Sequence, residues 1–150
     1  MNTTNPFLPN NSQDDELISQ MFRTARIFTR TLNDVLSAHG IHNAELAVLR
    51  VIQKHGGISQ ADLIQTLQVE AASISRTLER LEKKHCIRRQ PLEKGRGKYI
   101  QLTQEGETLC QQLRPAAIQH RQQALGQLTP VQKEALLATL QKMEKNLLLK

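Results

Sequence analysis

The 150-residue sequence predicts a mainly α protein with one small β-hairpin, and three observations carry that prediction. Apolar residues recur at helical spacing along much of the chain, as at Leu17, Met21, Ala25, Phe28, Leu32 and Val35. Hydrophobic residues make up 39% but aromatic ones only 3%, with no Trp, so the core must be built from Leu, Ile, Val and Ala, which suits packed helices. Two short strands, 87–92 and 98–102, flank a turn that contains Gly95 and Gly97. Between residues 58 and 103 a short helix, a turn, a second helix and this basic hairpin follow one another. That order is a winged helix-turn-helix, here flanked by N- and C-terminal helices.

Residues 1–12 are polar and contain Pro6 and Pro9, which predicts a flexible arm. Residues 13–150 are expected to form a single unit. The first helix, 13–40, has Ser12 or Asp14 as its candidate cap and Asp15 and Glu16 near its positive end. Ile18, Phe22 and Ile27 widen its apolar stripe, so it should meet more than one partner, and Gly40 should stop it in the left-handed conformation. Asn43 is the predicted cap of the second helix, with Leu46, Leu49 and Ile52 inward and Gly56-Gly57 ending it. Ser59 should cap a short third helix that buries Leu63, Ile64 and Leu67. The fourth helix runs from about Glu70 to Lys84 with Ile74, Leu78 and Leu81 inward. Thr103 should cap a long fifth helix through Leu109, Leu113 and Leu125, which Pro115 is expected to kink or stagger. Thr129, Pro130 and Gln132 form a strong start signal for the sixth, whose stripe is Leu136, Leu140, Met143 and Leu147.

The formal net charge is +6. Residues 69–98 hold nine basic and four acidic side chains, a balance of +5, so nearly all the excess lies on the second helix of the motif and the hairpin. Charge concentrated on that element favours double-stranded DNA over a merely solvated surface. The N-terminal part of such a helix reaches base edges, so Arg76 is a candidate for paired bonds to a guanine and Ser73 for a base or phosphate. Arg80, one turn later, is expected on phosphate, and Arg96 at the hairpin tip suits a minor groove narrowed by A·T pairs. The full candidate contact set is Ser59, Gln60, Ala72, Ser73, Ser75, Arg76, Arg80, Lys94, Arg96 and Lys98.

Other chemistry is thinly represented. No serine, cysteine or carboxylate arrangement points to catalysis, and no phosphate-binding glycine motif is present, so an enzyme is not expected and no cofactor is implied. Cys86 and Cys110 lie far apart in sequence, as in a reducing cytoplasm rather than a disulfide framework. Cys86, next to His85 and Lys84, would become an oxidant sensor if exposed, although burial is the commoner fate of such a thiol. His39 and His42 with His120 are a loose candidate zinc set. No apolar run approaches the roughly 20 residues of a membrane span or forms a signal peptide.

The chain resembles the MarR/SlyA family of bacterial transcription regulators over roughly residues 15–148. The residues that carry the resemblance are Glu45-Leu46-Ala47-Val48-Leu49, Ser59-Gln60-Ala61-Asp62-Leu63, Ser73-Ile74-Ser75-Arg76, Leu81-Glu82-Lys83-Lys84, Arg96 and Leu102-Thr103-Gln104-Glu105-Gly106. The resemblance implies a homodimer whose terminal helices, 13–40 and 104–150, interlock around the winged unit of 43–103. It also implies binding to a palindromic operator, usually as a repressor, with release by a small, often phenolic or aromatic, ligand or by an oxidant. A ligand is then expected in the cleft of helices 1, 2 and 5, with Phe22, Arg26, Phe28 and Leu46 as candidate lining residues. Three positions depart from the family: His85 stands where Gly is usual, Cys86 where an aliphatic is usual, and Lys94 where an Asp usually precedes the wing Arg. His tolerates the left-handed conformation better than most residues, and Glu93 is the candidate substitute for the missing carboxylate. The alternatives to a ligand-released regulator are a redox- or metal-responsive one, a ligand-independent DNA-architectural protein, and a protein-protein adaptor.

Overall fold

The structure is a computed structural model that describes residues 12–149. The expected arm therefore lies outside the described residues except for Ser12, the first residue of α1 (Ser12–Leu36). Because the helix already includes Ser12 and Asp14, neither is a cap preceding it; Asp14 and Asp15 occupy its first turn. A 3-10 turn (Ser37–His39) follows, and Gly40 ends it at φ 67 in the left-handed region, as the sequence predicts.

The winged unit then runs α2 (Asn43–His55), β1 (Ile58–Ser59), α3 (Gln60–Leu67), α4 (Ala71–Lys83), β2 (Ile87–Pro91) and β3 (Lys98–Leu102). Asn43 is the first residue of α2 and not its cap. His42 holds the cap position, with its N–H on Glu45 Oε2 at 3.1 Å, while the Asn43 N–H is taken by Asn33 Oδ1 at 2.6 Å. Ser59 does cap α3, accepting from the Asp62 N–H at 3.1 Å. Leu63 is buried there, but Ile64 and Leu67 are only half-buried.

The sheet has three antiparallel strands in the order β1-β3-β2. β1 is two residues long, Ile58 opposite Ile100 and Ser59 opposite Tyr99, and sequence periodicity did not reveal it because two residues show no alternation. It fastens the start of α3 to the middle of β3. Gly57, at φ 131, lies under Tyr99, the chain's single tyrosine; a Cβ at this position would run into the phenol ring.

α2 lies at the middle of the core. Leu36, Ile41, Leu49, Ile52, Leu63, Leu78, Leu81, Ile100 and Leu113 are all essentially inaccessible, and each such side chain contributes roughly 1.5–3 kcal/mol by its removal from water. His85 turns the chain from α4 into β2 at φ 59, so the residue that replaces the usual glycine does adopt the left-handed conformation. Its carbonyl accepts the Thr103 hydroxyl, and that hydroxyl oxygen also accepts the Gly106 N–H at 3.1 Å to cap α5 (Gln104–Leu125). Gly106 sits directly on the backbone of Cys86, where a Cβ would collide with the carbonyl.

α5 continues through Pro115 without interruption, where the sequence predicts a kink or stagger. Pro115 and Gln111, whose carbonyl loses its helical donor, both lie on the exposed side, so water can satisfy that oxygen. α6 (Pro130–Leu148) starts with the predicted box: Thr129 Oγ1 accepts from the Gln132 N–H, and Gln132 Oε1 accepts from the Thr129 N–H. Its apolar stripe is left largely uncovered: no residue of α6 is buried, Met143 is half-buried, and Leu136, Leu137, Leu140 and Leu147 are exposed. Leu17, Ile18, Phe22, Ile27 and Phe28 of α1 are exposed in the same way.

Candidate nucleic-acid interface

α4 owes its position to its inward side. Ile74, Thr77, Leu78 and Leu81 are buried, which turns Ala72, Ser73 and Arg76 outward on the N-terminal half. Ser75 is half-buried and accepts a hydrogen bond from Gln60 Nε2 at 3.2 Å, so these two candidates brace α3 against α4. Ser59 is likewise half-buried, with its hydroxyl oxygen engaged as the α3 cap. Ser73, Arg76 and Arg80 fall at helical spacing on one face of α4.

The C-terminal half of α4 is fastened to α2 through Glu45, a fully buried carboxylate. Arg80 Nε donates to Glu45 Oε1 at 3.3 Å, and Lys84 Nζ donates to both oxygens at 3.0 and 2.9 Å and to the Gly40 carbonyl at 2.6 Å. Burial alone would raise the Glu45 pKa, but the bonds from Lys84, the His42 N–H and Arg80 outweigh it and hold the carboxyl below its ordinary value. Arg80 is thus partly engaged inside the protein, while 46% of its side chain remains exposed. The sequence did carry a signal for this cluster: Glu45 shares the inward stripe of Leu49 and Ile52, where a charge demands partners. A second clamp joins β2 to α4, with Arg89 on Glu82 Oε2 at 2.8 Å through Nε and 2.6 Å through Nη2.

Lys94, Arg96 and Lys98 all project from the exposed hairpin, with Gly95 and Gly97 at φ 86 and 121 shaping its tip. Glu93 makes no ion pair with Arg96 among the described residues, so it does not replace the missing wing carboxylate. The excess positive charge singled out in the sequence therefore centres on two neighbouring features, the outer face of α4 and the wing.

The four candidate ligand-lining residues do not share a cavity. Phe22 and Arg26 line a shallow groove along α1 with Ala25, Thr29 and Arg30. Phe28 packs edge-on against His120, 4.6 Å between ring centres. Leu46 borders a separate cavity of about 410 Å³ between α2 and α5, whose wall includes Arg50, Arg114 and Arg121. Sequence spacing shows which face a residue occupies but not which helices that face meets, which is why the set is divided.

Cys86 is buried, and burial, the largest influence, pushes its thiol pKa up despite the positive charge of Lys84. The exposure that an oxidant-sensing Cys86 requires is absent. Cys110 is pushed up to about 11 by burial, with Glu107 adding to it. His120 shares a 2.8 Å hydrogen bond with Thr31 Oγ1, which itself donates to Ile27 O at 2.9 Å. His39, His42 and His120 do not form a metal-binding group, and no cluster of three or more His, Cys, Asp or Glu occurs among the described residues. No helix among them is long and apolar enough to cross a membrane.

A solvent-facing recognition helix rooted by ion pairs to one buried carboxylate, with a basic wing beside it, defines a DNA-binding transcription regulator of the winged-helix class. Comparison with known proteins narrows the class. The sequence model of the MarR family matches residues 39–96. It is 28% identical over 119 residues to the uncharacterized HTH-type transcriptional regulator YwoH of Bacillus subtilis, covering 79% of this chain and 87% of that protein. It is 27% identical to the HTH-type transcriptional regulator PecS of Dickeya dadantii over 87% of this chain and 81% of that one. Among solved structures, a cysteine-to-serine mutant of MarR from E. coli complexed with operator DNA superposes with a TM-score of 0.77 at 25% identity, covering 95% of this chain and 100% of that one. These relatives are transcription regulators and not enzymes.

Proposed function

We propose that the protein is a cytoplasmic homodimeric repressor that binds a palindromic operator and releases it when a small anionic ligand binds. The observation that carries the reading is the pair of uncovered apolar faces, on α1 and α6, at the two ends of a chain whose middle reads DNA. A second copy would cover them and would set the two recognition helices about one helical turn apart, as two half-sites of a palindrome require. Ser73, Arg76, Arg80, Lys94, Arg96 and Lys98 are then the side chains that meet DNA, with Ser59, Gln60 and Ser75 supporting them and Ala72 near the groove.

The α2–α5 cavity supports the ligand half of the reading. Leu46, Leu113, Ala117 and Ile118 give it an apolar wall, and Arg50, Arg114 and Arg121 have no acidic partner among the described residues. That combination favours an aromatic compound bearing a negative charge over a neutral phenol. A ligand held more tightly by the released spacing of the dimer would weaken DNA binding by its differential affinity. Footprinting on genomic fragments, with and without a panel of phenols, aromatic acids, metals and peroxide, tests the whole reading. Two-fold protected sites that aromatic acids abolish support it; protection without sequence preference at moderate salt would instead indicate an architectural protein.

A further inference from the structure

We propose that Glu45 is a positioning residue for the DNA backbone: with Thr77 it holds the Arg80 guanidinium so that its free edge meets a phosphate beside the recognition helix. The inference rests on the placement of α4 against DNA given above. Two guanidinium nitrogens are engaged on the inner side, Nε on Glu45 Oε1 at 3.3 Å and Nη2 on Thr77 Oγ1 at 3.1 Å. The Thr77 hydroxyl is itself directed by its bond to the Ser73 carbonyl at 2.9 Å.

Both anchors are buried, Glu45 completely, so neither moves with the solvent, while Arg80 keeps an exposed edge. The other terminal nitrogen has no partner among the described residues. A guanidinium is a rigid planar fork, so fixing two of its nitrogens fixes the direction of the donors that remain. An arginine fastened in this way gives up less rotamer freedom on meeting a phosphate than one that is free.

Charge supports the same assignment. Lys84 Nζ sits on both Glu45 oxygens and by itself balances the carboxylate, so the cluster keeps one net positive charge, carried on Arg80. A buried ion cluster is a poor way to gain stability, since apolar residues fill such positions at least as well. What Glu45 supplies that an apolar residue could not is the orientation of a cation at the DNA-facing surface.

The test measures binding of the full chain to a mixed-sequence duplex of about two helical turns, by fluorescence anisotropy over a range of salt. Arg80→Gln should weaken binding about five- to tenfold and reduce the salt slope by about one. Glu45→Gln and, separately, the charge-neutral Thr77→Val should each weaken binding about two- to fivefold, and neither should weaken it further when Arg80 is already Gln. Equal losses in both backgrounds would overturn the proposal, because Glu45 and Thr77 would then act through the fold and not through Arg80. An Arg80→Gln protein with unchanged affinity and slope would overturn it as well. If circular dichroism shows that Glu45→Gln is unfolded, the Thr77→Val cycle decides alone: coupling upholds the proposal and additivity refutes it. Arg76→Ala combined with Arg96→Ala keeps the failure of the underlying reading distinct, since unchanged duplex binding in that double variant removes the placement of α4 and the wing against DNA.

Discussion

Individual side chains divide into those that would read sequence and those that only hold the protein to DNA. Arg76 projects freely from the outer face of α4, so Arg76→Ala should relax sequence preference by roughly 1–3 kcal/mol. Arg96, at the wing tip, should instead weaken most sites evenly when changed to Ala; competition binding on operator and scrambled duplexes distinguishes the two patterns. Glu45 gives a pH signature whose sign is set by its depressed pKa. The stability it contributes is complete above the unfolded carboxylate value, about pH 4, and is lost as pH falls through the lower folded value. The melting temperature of the native protein should therefore exceed that of Glu45→Gln by a constant margin at neutral pH, and the margin should shrink in acid. The thiols give a third expectation at this scale. Burial raises both pKa values, Cys110 to about 11, so neither should be alkylated near neutral pH until the chain unfolds. Rapid labelling of Cys86 in the native protein would restore the oxidant-sensing reading.

At the scale of elements, the junction between α4 and the wing is tightly constrained, by the left-handed His85 and by Gly106 on the Cys86 backbone. His85 carries a left-handed φ that costs roughly 1–2 kcal/mol for a residue with a Cβ, against a smaller entropic cost for glycine. His85→Gly should therefore stabilise the protein by about 0.5–1 kcal/mol in denaturant melts. Gly106→Ala should do the opposite, by roughly 3 kcal/mol, because its Cβ would fall on the Cys86 carbonyl and force α5 off the base of the wing. These elements also show where the sequence was legible. Ser59, Thr103 and Thr129 cap the helices they were expected to cap, because a cap is a bond between residues three positions apart. Gly40 takes the predicted left-handed turn and His85 adopts the one usual for glycine there, while Gly56 ends α2 as expected, for the same local reason. Asn43 misled because the residue that occupies its amide, Asn33, lies on another helix. β1 and the division of Phe22, Arg26, Phe28 and Leu46 among three places depend on how elements pack, which no local pattern records.

For the whole molecule, the uncovered faces of α1 and α6 make a firm demand. The exposed leucines of α6 alone, Leu136, Leu137, Leu140 and Leu147, form a stripe that a solitary chain would leave in water. Leu136→Glu combined with Leu140→Glu should convert a dimer into monomers in sedimentation. Operator affinity should fall by orders of magnitude, because each half-site must then be bound on its own. A monomeric native protein that still footprints a two-fold site would refute the dimer.

The contact between Tyr99 and Gly57 has a practical consequence. With one tyrosine and no tryptophan, the chain's near-ultraviolet emission comes from a single ring on β3 of the wing, over the turn that leads into β1 and α3. Unlabelled protein thus carries its own optical gauge within the wing, beside the start of α3, and its intensity can follow duplex docking in a stopped-flow cell in real time.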